Sequence, residues 1–168
     1  MNGFMDKLSQ KIMPLANLLG QNRYLTVLRD AFMLSFPLTM FGSIVVVVNN
    51  LPFFSDGTKG TLSTLFGNGQ NATMSIMSVF VTFGIGYYLS KSYDVEGIFG
   101  GAVSFASFLI LTPFVMTTAG GEEVSGVLSL DRLGAKGMFI GMIAAFLAAE
   151  IYCRITKRGW QIKMPDGV

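Results

Sequence analysis

The chain has 168 residues, 51% of them hydrophobic and only 13% charged, with a formal net charge of +2. Soluble domains usually carry about 25% charged residues, so the composition argues against an ordinary water-soluble fold and excludes disorder. The weak net charge gives no reason to expect nucleic acid. With no His and a single Cys, the chain lacks both the commonest metal ligand and the means for an internal disulfide or a Cys-based zinc site, and no cofactor is expected.

The placement of the charges is more informative than their number. Residues 31–55, 60–90, 97–121 and 137–149 contain no Asp, Glu, Lys or Arg, and uncharged apolar stretches of this length read as membrane spans. The N-terminus does not read as a cleavable signal peptide, because Asp6, Lys7 and Lys11 interrupt it. Phe4, Met5, Leu8, Ile12, Leu15 and Leu19 instead recur at helical spacing. Residues 1–22 are therefore expected to hold a short amphipathic interfacial helix that Pro14 bends or divides and that ends at 20–22.

The first span is expected over residues 31–50, kinked or opened at Pro37. Residues 51–71, rich in Gly, Ser, Thr and Asn, read as a loop, with Leu62, Leu65 and Phe66 able to dip into the interface. The second span is expected at 74–90, where Tyr87 and Tyr88 suit an interfacial belt. A short polar turn containing Lys91, Tyr93, Asp94 and Glu96 leads to the third, at 98–117, with Pro113 near its end. Residues 118–136 read as a second polar loop, and the fourth span is expected at 137–153. The expected fold is thus all-α and integral to the membrane, with about four transmembrane helices. Nine Lys and Arg fall on the side of the termini (Lys7, Lys11, Arg23, Arg29, Lys91, Arg154, Lys157, Arg158, Lys163) and three on the other (Lys59, Arg132, Lys136). That bias predicts that both termini are cytoplasmic.

Every span carries a line of small or hydroxyl residues. Ser35, Thr39 and Ser43 mark the first, with Gly42 beside them, and Ser75, Ser78, Thr82 and Gly86 mark the second. Gly97 and Gly101 open the third, and Gly137, Gly141, Ala145 and Ala149 mark the fourth. Lipid tails provide no hydrophobic drive for helix association, so small residues that let backbones approach are the usual adhesive. Helix packing, within or between protomers, is the expected role of Gly97, Gly101, Gly137, Gly141, Ala145 and Ala149; a hydroxyl-lined aqueous path is the alternative.

Glu150 is the one acid inside an expected span, and Arg154 follows at the favourable four-residue spacing, which predicts a local ion pair. Arg29 and Asp30 read the same way. Cys153 has no His base and no phosphate-cradling loop around it and is read as inert. The sequon at 71–73, the Glu122–Glu123 pair and Asn49–Asn50 are read as a chance match, solvated charge and helix-end residues, respectively. By composition and periodicity this is a four-helix membrane module with no catalytic constellation.

Three segments add a resemblance. FMDKLSQKIMPLANLLGQN (residues 4–22), RYLTVLRDAFMLSFPLTMFGSIVVVVNNLPF (23–53) and LGAKGMFIGMIAAFLAAEIYCRITKRGWQIKMPDGV (133–168) are similar to the N-terminal part of bacterial phosphotransferase system (PTS) sugar permeases. The resemblance is to the enzyme IIC component of the lactose/cellobiose/diacetylchitobiose family. It implies a homodimeric, multi-pass protein of the bacterial inner membrane, about twice this length or more. Residues 23–168 then correspond to its scaffold and dimerisation region, and the ending at 164–168 reads as a family segment cut before its next elements. The sugar, a β-linked disaccharide, is held in the family by a second half with a His and an Asn-Glu-Pro type motif. Neither occurs here, so no position of this chain inherits a sugar-binding role. The family mechanism places the transferable phosphoryl group on partners, a IIB phosphocysteine recharged from a IIA phosphohistidine, and Cys153 lacks the glycine-rich loop of a IIB cysteine. A self-contained four-helix channel or structural membrane subunit is the rival expectation.

Overall fold

The structure is a computed structural model that describes residue 13 and residues 20–51, 56–118 and 120–160. The expected interfacial helix and the tail beyond residue 160 lie outside the described residues, apart from residues 13 and 20–22.

Helix α1 spans Arg23–Asn50. Asn22 starts it: its side chain accepts a hydrogen bond from the Tyr24 N–H at 3.0 Å and satisfies one of the orphan donors of the first turn. The helix therefore begins eight residues before the apolar stretch, because a cap and not hydropathy sets its start. It runs through Pro37, whose missing N–H withholds one bond from the ladder.

The expected loop at 51–71 is corrected: Asp56–Asn71 form helix α2, which packs on α1. At Gly69 an added Cβ would stand 3.2 Å from the Phe41 ring, so this glycine lets the two helices close. Poor intrinsic propensity is overridden by that contact. A 3-10 turn at Met74–Ile76 joins α2 to α3, Met77–Ser92. The apolar helical run thus extends over Phe66–Ser92 instead of beginning at residue 74.

Helix α4 spans only Gly97–Leu111, and the expected span to residue 117 is corrected. Thr112 is extended (φ −95°, ψ 119°) because Pro113 clashes with a helical predecessor. The next residues form a small antiparallel hairpin, β1 Val115–Thr117 with β2 Glu123–Ser125, in which Met116 faces Val124. At about 1.5 Å per residue, α4 is about 22 Å long, shorter than the ~30 Å hydrocarbon core. The second polar loop is likewise partly structured, holding β2 and the single-turn helix α5, Leu130–Leu133. Helix α6, Ala135–Lys157, exceeds the expected span at both ends.

The described residues are mostly helical, and among them three helical runs are long and apolar enough to cross a membrane, Arg23–Val48, Phe66–Ser92 and Ala135–Lys157. Helix α3 is the hub: α1, α4 and α6 all pack on it. The core of Val27, Ala31, Val81, Ile85, Leu89, Ala145 and Ala149 comes from α1, α3 and α6. Most large apolar side chains of α1 point outward, Met33, Phe36, Ile44 and Val47 among them. That inversion is stable in lipid, which is as apolar as the core.

A close backbone approach joins α3 to α4. A methyl at Gly86 would run into the Gly100 carbonyl and the Ser104 hydroxyl, and one at Gly100 would overlap Ser90 Oγ and lie 2.7 Å from the Gly86 carbonyl. Overpacking of this kind costs about 1–3 kcal/mol. Gly100→Ala is expected to lower the thermal unfolding midpoint in detergent by an amount in that range. Gly67→Ala, where an added Cβ meets nothing within 4 Å, is expected to leave the midpoint unchanged or raise it by up to about 1 kcal/mol in equivalent stability.

Candidate functional site

Two polar features occupy opposite ends of α6. At its C-terminal end the Glu150 carboxylate is the centre of a network that ties three helices. The Tyr93 hydroxyl, from the residue capping α3, donates to both carboxylate oxygens at 2.8 and 2.9 Å. The Tyr24 hydroxyl, from the first turn of α1, reaches the same carboxylate at 3.5 Å. Arg154 completes the set, with its guanidinium 2.9 Å from Oε1. Above the Tyr93 ring stand two more cations, the Arg23 guanidinium at 4.2 Å from the centroid and Lys157 Nζ at 5.3 Å. The Glu150 hydrogen bond, first, and partial burial, second, push the Tyr93 phenol above its ordinary pKa, because both favour the neutral form that donates.

The expected Glu150–Arg154 pair is present, and so is Arg29–Asp30, at 2.8 Å. Sequence reasoning missed the two tyrosines. Tyr93 lies 57 residues from Glu150 and Tyr24 lies 126 away, and only helix packing brings them together. Their single sequence signal is position: each lies at the end of an apolar run beside basic residues.

At the other end of α6, a cleft of about 470 Å³ opens between α4, the hairpin and the α5–α6 turn. It is lined by the apolar Phe108, Leu111 and Ile140 and by the charged Asp131, Arg132 and Lys136. Asp131 and Lys136 form an exposed ion pair at 2.6 Å, which holds the Asp131 carboxyl below its ordinary range. Among the described residues no three His, Cys, Asp or Glu side chains stand together as metal ligands.

The six small residues singled out from the sequence are all buried within the chain. Gly97 lies under the Tyr87 ring and Gly101 under the Phe83 ring, where an added Cβ would come within 2.8 and 2.7 Å. Gly141 faces Thr82 Oγ1, 2.6 Å from an added Cβ, with the Phe108 ring at 3.4 Å. Ala145 and Ala149 are part of the core. Gly137 faces the Arg132 carbonyl in the turn that precedes its own helix. The glycine that sequence reasoning passed over is Gly100, one residue from Gly101 and at the close approach of α3 and α4.

The hydroxyl lines are mostly satisfied locally. Ser35, Thr39 and Ser43 donate to carbonyls three residues back in α1, at 2.8–2.9 Å. Ser78 donates to the Leu133 carbonyl, and Ser104 to the Ala145 carbonyl at 3.2 Å. Cys153 is buried and its thiol contacts Ser90 Oγ at 3.5 Å. Of the buried side-chain polar atoms among the described residues, only Thr82 Oγ1 has no hydrogen-bond partner.

A helical bundle with outward apolar faces, spanning-length helices and ion-paired helix ends defines a polytopic membrane protein. The comparisons with known proteins take this further. The family model "Phosphotransferase system, EIIC" matches residues 29–168, and the chain belongs to that family. It is 58% identical over 167 residues to the PTS system oligo-beta-mannoside-specific EIIC component of Bacillus subtilis, a match covering 97% of this chain and 38% of that one. It is 35% identical to the PTS system cellobiose-specific EIIC component of Geobacillus stearothermophilus, covering all of this chain and 40% of the relative. Among solved structures, the crystal structure of the transporter ChbC, the IIC component from the N,N'-diacetylchitobiose-specific phosphotransferase system, superposes with a TM-score of 0.83. That match is 32% identical and covers 96% of this chain and 40% of ChbC. The chain therefore spans about two fifths of the length of these relatives.

The Glu150 network yields a direct test. Glu150→Gln removes the charge from three hydrogen-bonded contacts and is expected to destabilise the bundle by about 2 kcal/mol, a typical worth for hydrogen bonds to a charged group, read by unfolding in detergent. Tyr93 has a raised folded pKa, so its stabilising contribution is complete below the unfolded tyrosine value of about 10 and is lost as pH rises through the folded value. Tyrosinate difference spectra should show a high-titrating phenol that Tyr93→Phe removes and Glu150→Gln returns toward about pH 10.

Proposed function

We propose that this chain is the N-terminal scaffold and dimer-forming region of an EIIC permease. The whole permease imports a β-linked disaccharide, of cellobiose, oligo-β-mannoside or diacetylchitobiose type, and presents it to a IIB partner for phosphorylation. The observation that carries this reading is the 58% identity to an oligo-beta-mannoside-specific EIIC component along nearly the whole chain. The described residues support a structural role. Six of their charged side chains form three ion pairs, Arg29–Asp30, Asp131–Lys136 and Glu150–Arg154, and the sequence has no His. On this reading the sugar-holding groups belong to the part of the permease beyond these two fifths. IIB, recharged by IIA, supplies the phosphoryl group.

The same proposal places the protein in the bacterial inner membrane, with residues 1–22 on its surface and residues 23–168 as the membrane region. The Glu150 network supports termini on one side, since it joins the start of α1 to the end of α6. The positive-inside bias makes that side cytoplasmic. Helix α4, short as it is, then crosses with the extended segment that follows it. Gly97, Gly101, Gly141, Ala145 and Ala149 then hold helices within one protomer, Gly137 fits the turn before α6, and a homodimer uses an outer face.

The channel reading finds less support, because the hydroxyls of α1 are bonded to their own helix. Expressed with its IIA and IIB partners, the whole reading frame is expected to take up cellobiose or β-mannobiose and accumulate the phosphorylated sugar, dependent on phosphoenolpyruvate. Ion flux from the purified chain in liposomes, without sugar uptake in that strain, would reverse the choice. In a Cys153→Ala background, a membrane-impermeant maleimide should label Ser129→Cys in intact cells and Arg158→Cys only after permeabilisation.

A further inference from the structure

The outer face of α6 carries a pattern that the packing of the bundle leaves open, with Ile140 at the rim of the cleft and the rest beyond it. Ile140, Ile143, Leu147 and Ile151 are each at least half exposed. Their spacing, with Arg154 and Arg158 added, keeps all six within an arc of about 80° at 100° per residue. The track from Ile140 to Ile151 is about 16 Å long at 1.5 Å per residue. One leaflet is half of a hydrocarbon core about 30 Å thick. The apolar track therefore has the length of one leaflet and ends at two guanidinium groups.

We propose that this face binds one anionic phospholipid, with an acyl chain along Ile140–Ile151 and the phosphate between Arg154 and Arg158. Charge complementarity selects the occupant. The last turns of α6 hold Arg154, Lys157 and Arg158 against the single carboxylate of Glu150, and that carboxylate is already taken by Tyr24, Tyr93 and Arg154. Arg154 uses two N–H groups on Glu150, and a guanidinium has five donors, so its remaining donors can meet a phosphate. Arg158 is exposed and has no ion pair among the described residues. Trp160, 72% exposed just beyond the helix, is the amphipathic side chain that settles at headgroup level. A protein partner covering the same face would have to bury these cations, whereas a phosphodiester pairs with them in its native place.

The test is native mass spectrometry of the purified protein in detergent, titrated separately with phosphatidylglycerol, phosphatidylcholine and inorganic phosphate. Phosphatidylglycerol is expected to remain bound at least ten times more strongly than phosphatidylcholine. Arg158→Gln should remove that preference while Arg158→Lys keeps most of it, and Leu147→Ala should weaken both lipids alike. The exposed position of Arg158 leaves folding intact, and unchanged unfolding midpoints would verify this. Equal binding of the two lipids, an unchanged preference in Arg158→Gln, or displacement of the lipid by millimolar inorganic phosphate would overturn the proposal. So would photo-crosslinking from position 147 that yields protein–protein adducts in place of lipid adducts.

Discussion

Everything in this bundle depends on how closely two helix backbones approach where Gly86 meets Gly100. In lipid, apolar side chains gain little by turning inward, so association rests on van der Waals contact and interhelical hydrogen bonds. Both grow when nothing larger than a hydrogen separates the backbones. The missing side chains let Ser90 and Ser104 lie in the seam between α3 and α4, and Ser104 reaches on to the Ala145 carbonyl of α6. Helix α3 can therefore contact three neighbours at once, and the large apolar residues are left for the outside.

Closure at the helix ends is electrostatic. A carboxylate at the edge of a membrane is costly unless paired and hydrogen-bonded, and Glu150 is satisfied by two phenols and a guanidinium from three segments of the chain. Removing any one partner leaves the others holding an under-satisfied charge, so the network specifies which helix ends meet. The same geometry brings the start of α1 beside the end of α6.

The family assignment fits this division of labour. On the proposed scaffold reading, the part needs fixed helix ends, a tight interior and an apolar outer surface, and the Glu150 network, the Gly86–Gly100 contact and the outward side chains of α1 are features of that kind. The cleft beside Arg132 and Lys136 lies at the far end of α6 from the Glu150 network.

Much of this was legible in the sequence because the membrane imposes a one-dimensional rule. Long uncharged apolar stretches favour helices, so three of the four expected spans, the i,i+4 pair at Glu150 and the family could be read without coordinates. The reading failed where local composition and tertiary contact disagree. Residues 56–71 look like a loop because Gly, Thr and Asn are weak helix formers, yet packing on α1 holds them helical. The third span looked twenty residues long because hydropathy does not register that Pro113 forces Thr112 out of the helix. The crossing role of Gly100 and the tyrosines around Glu150 were decided only by the fold. Which face of α4 meets α3, and which residues 57 and 126 positions away reach one carboxylate, are questions of three-dimensional register that no periodicity within a single helix contains.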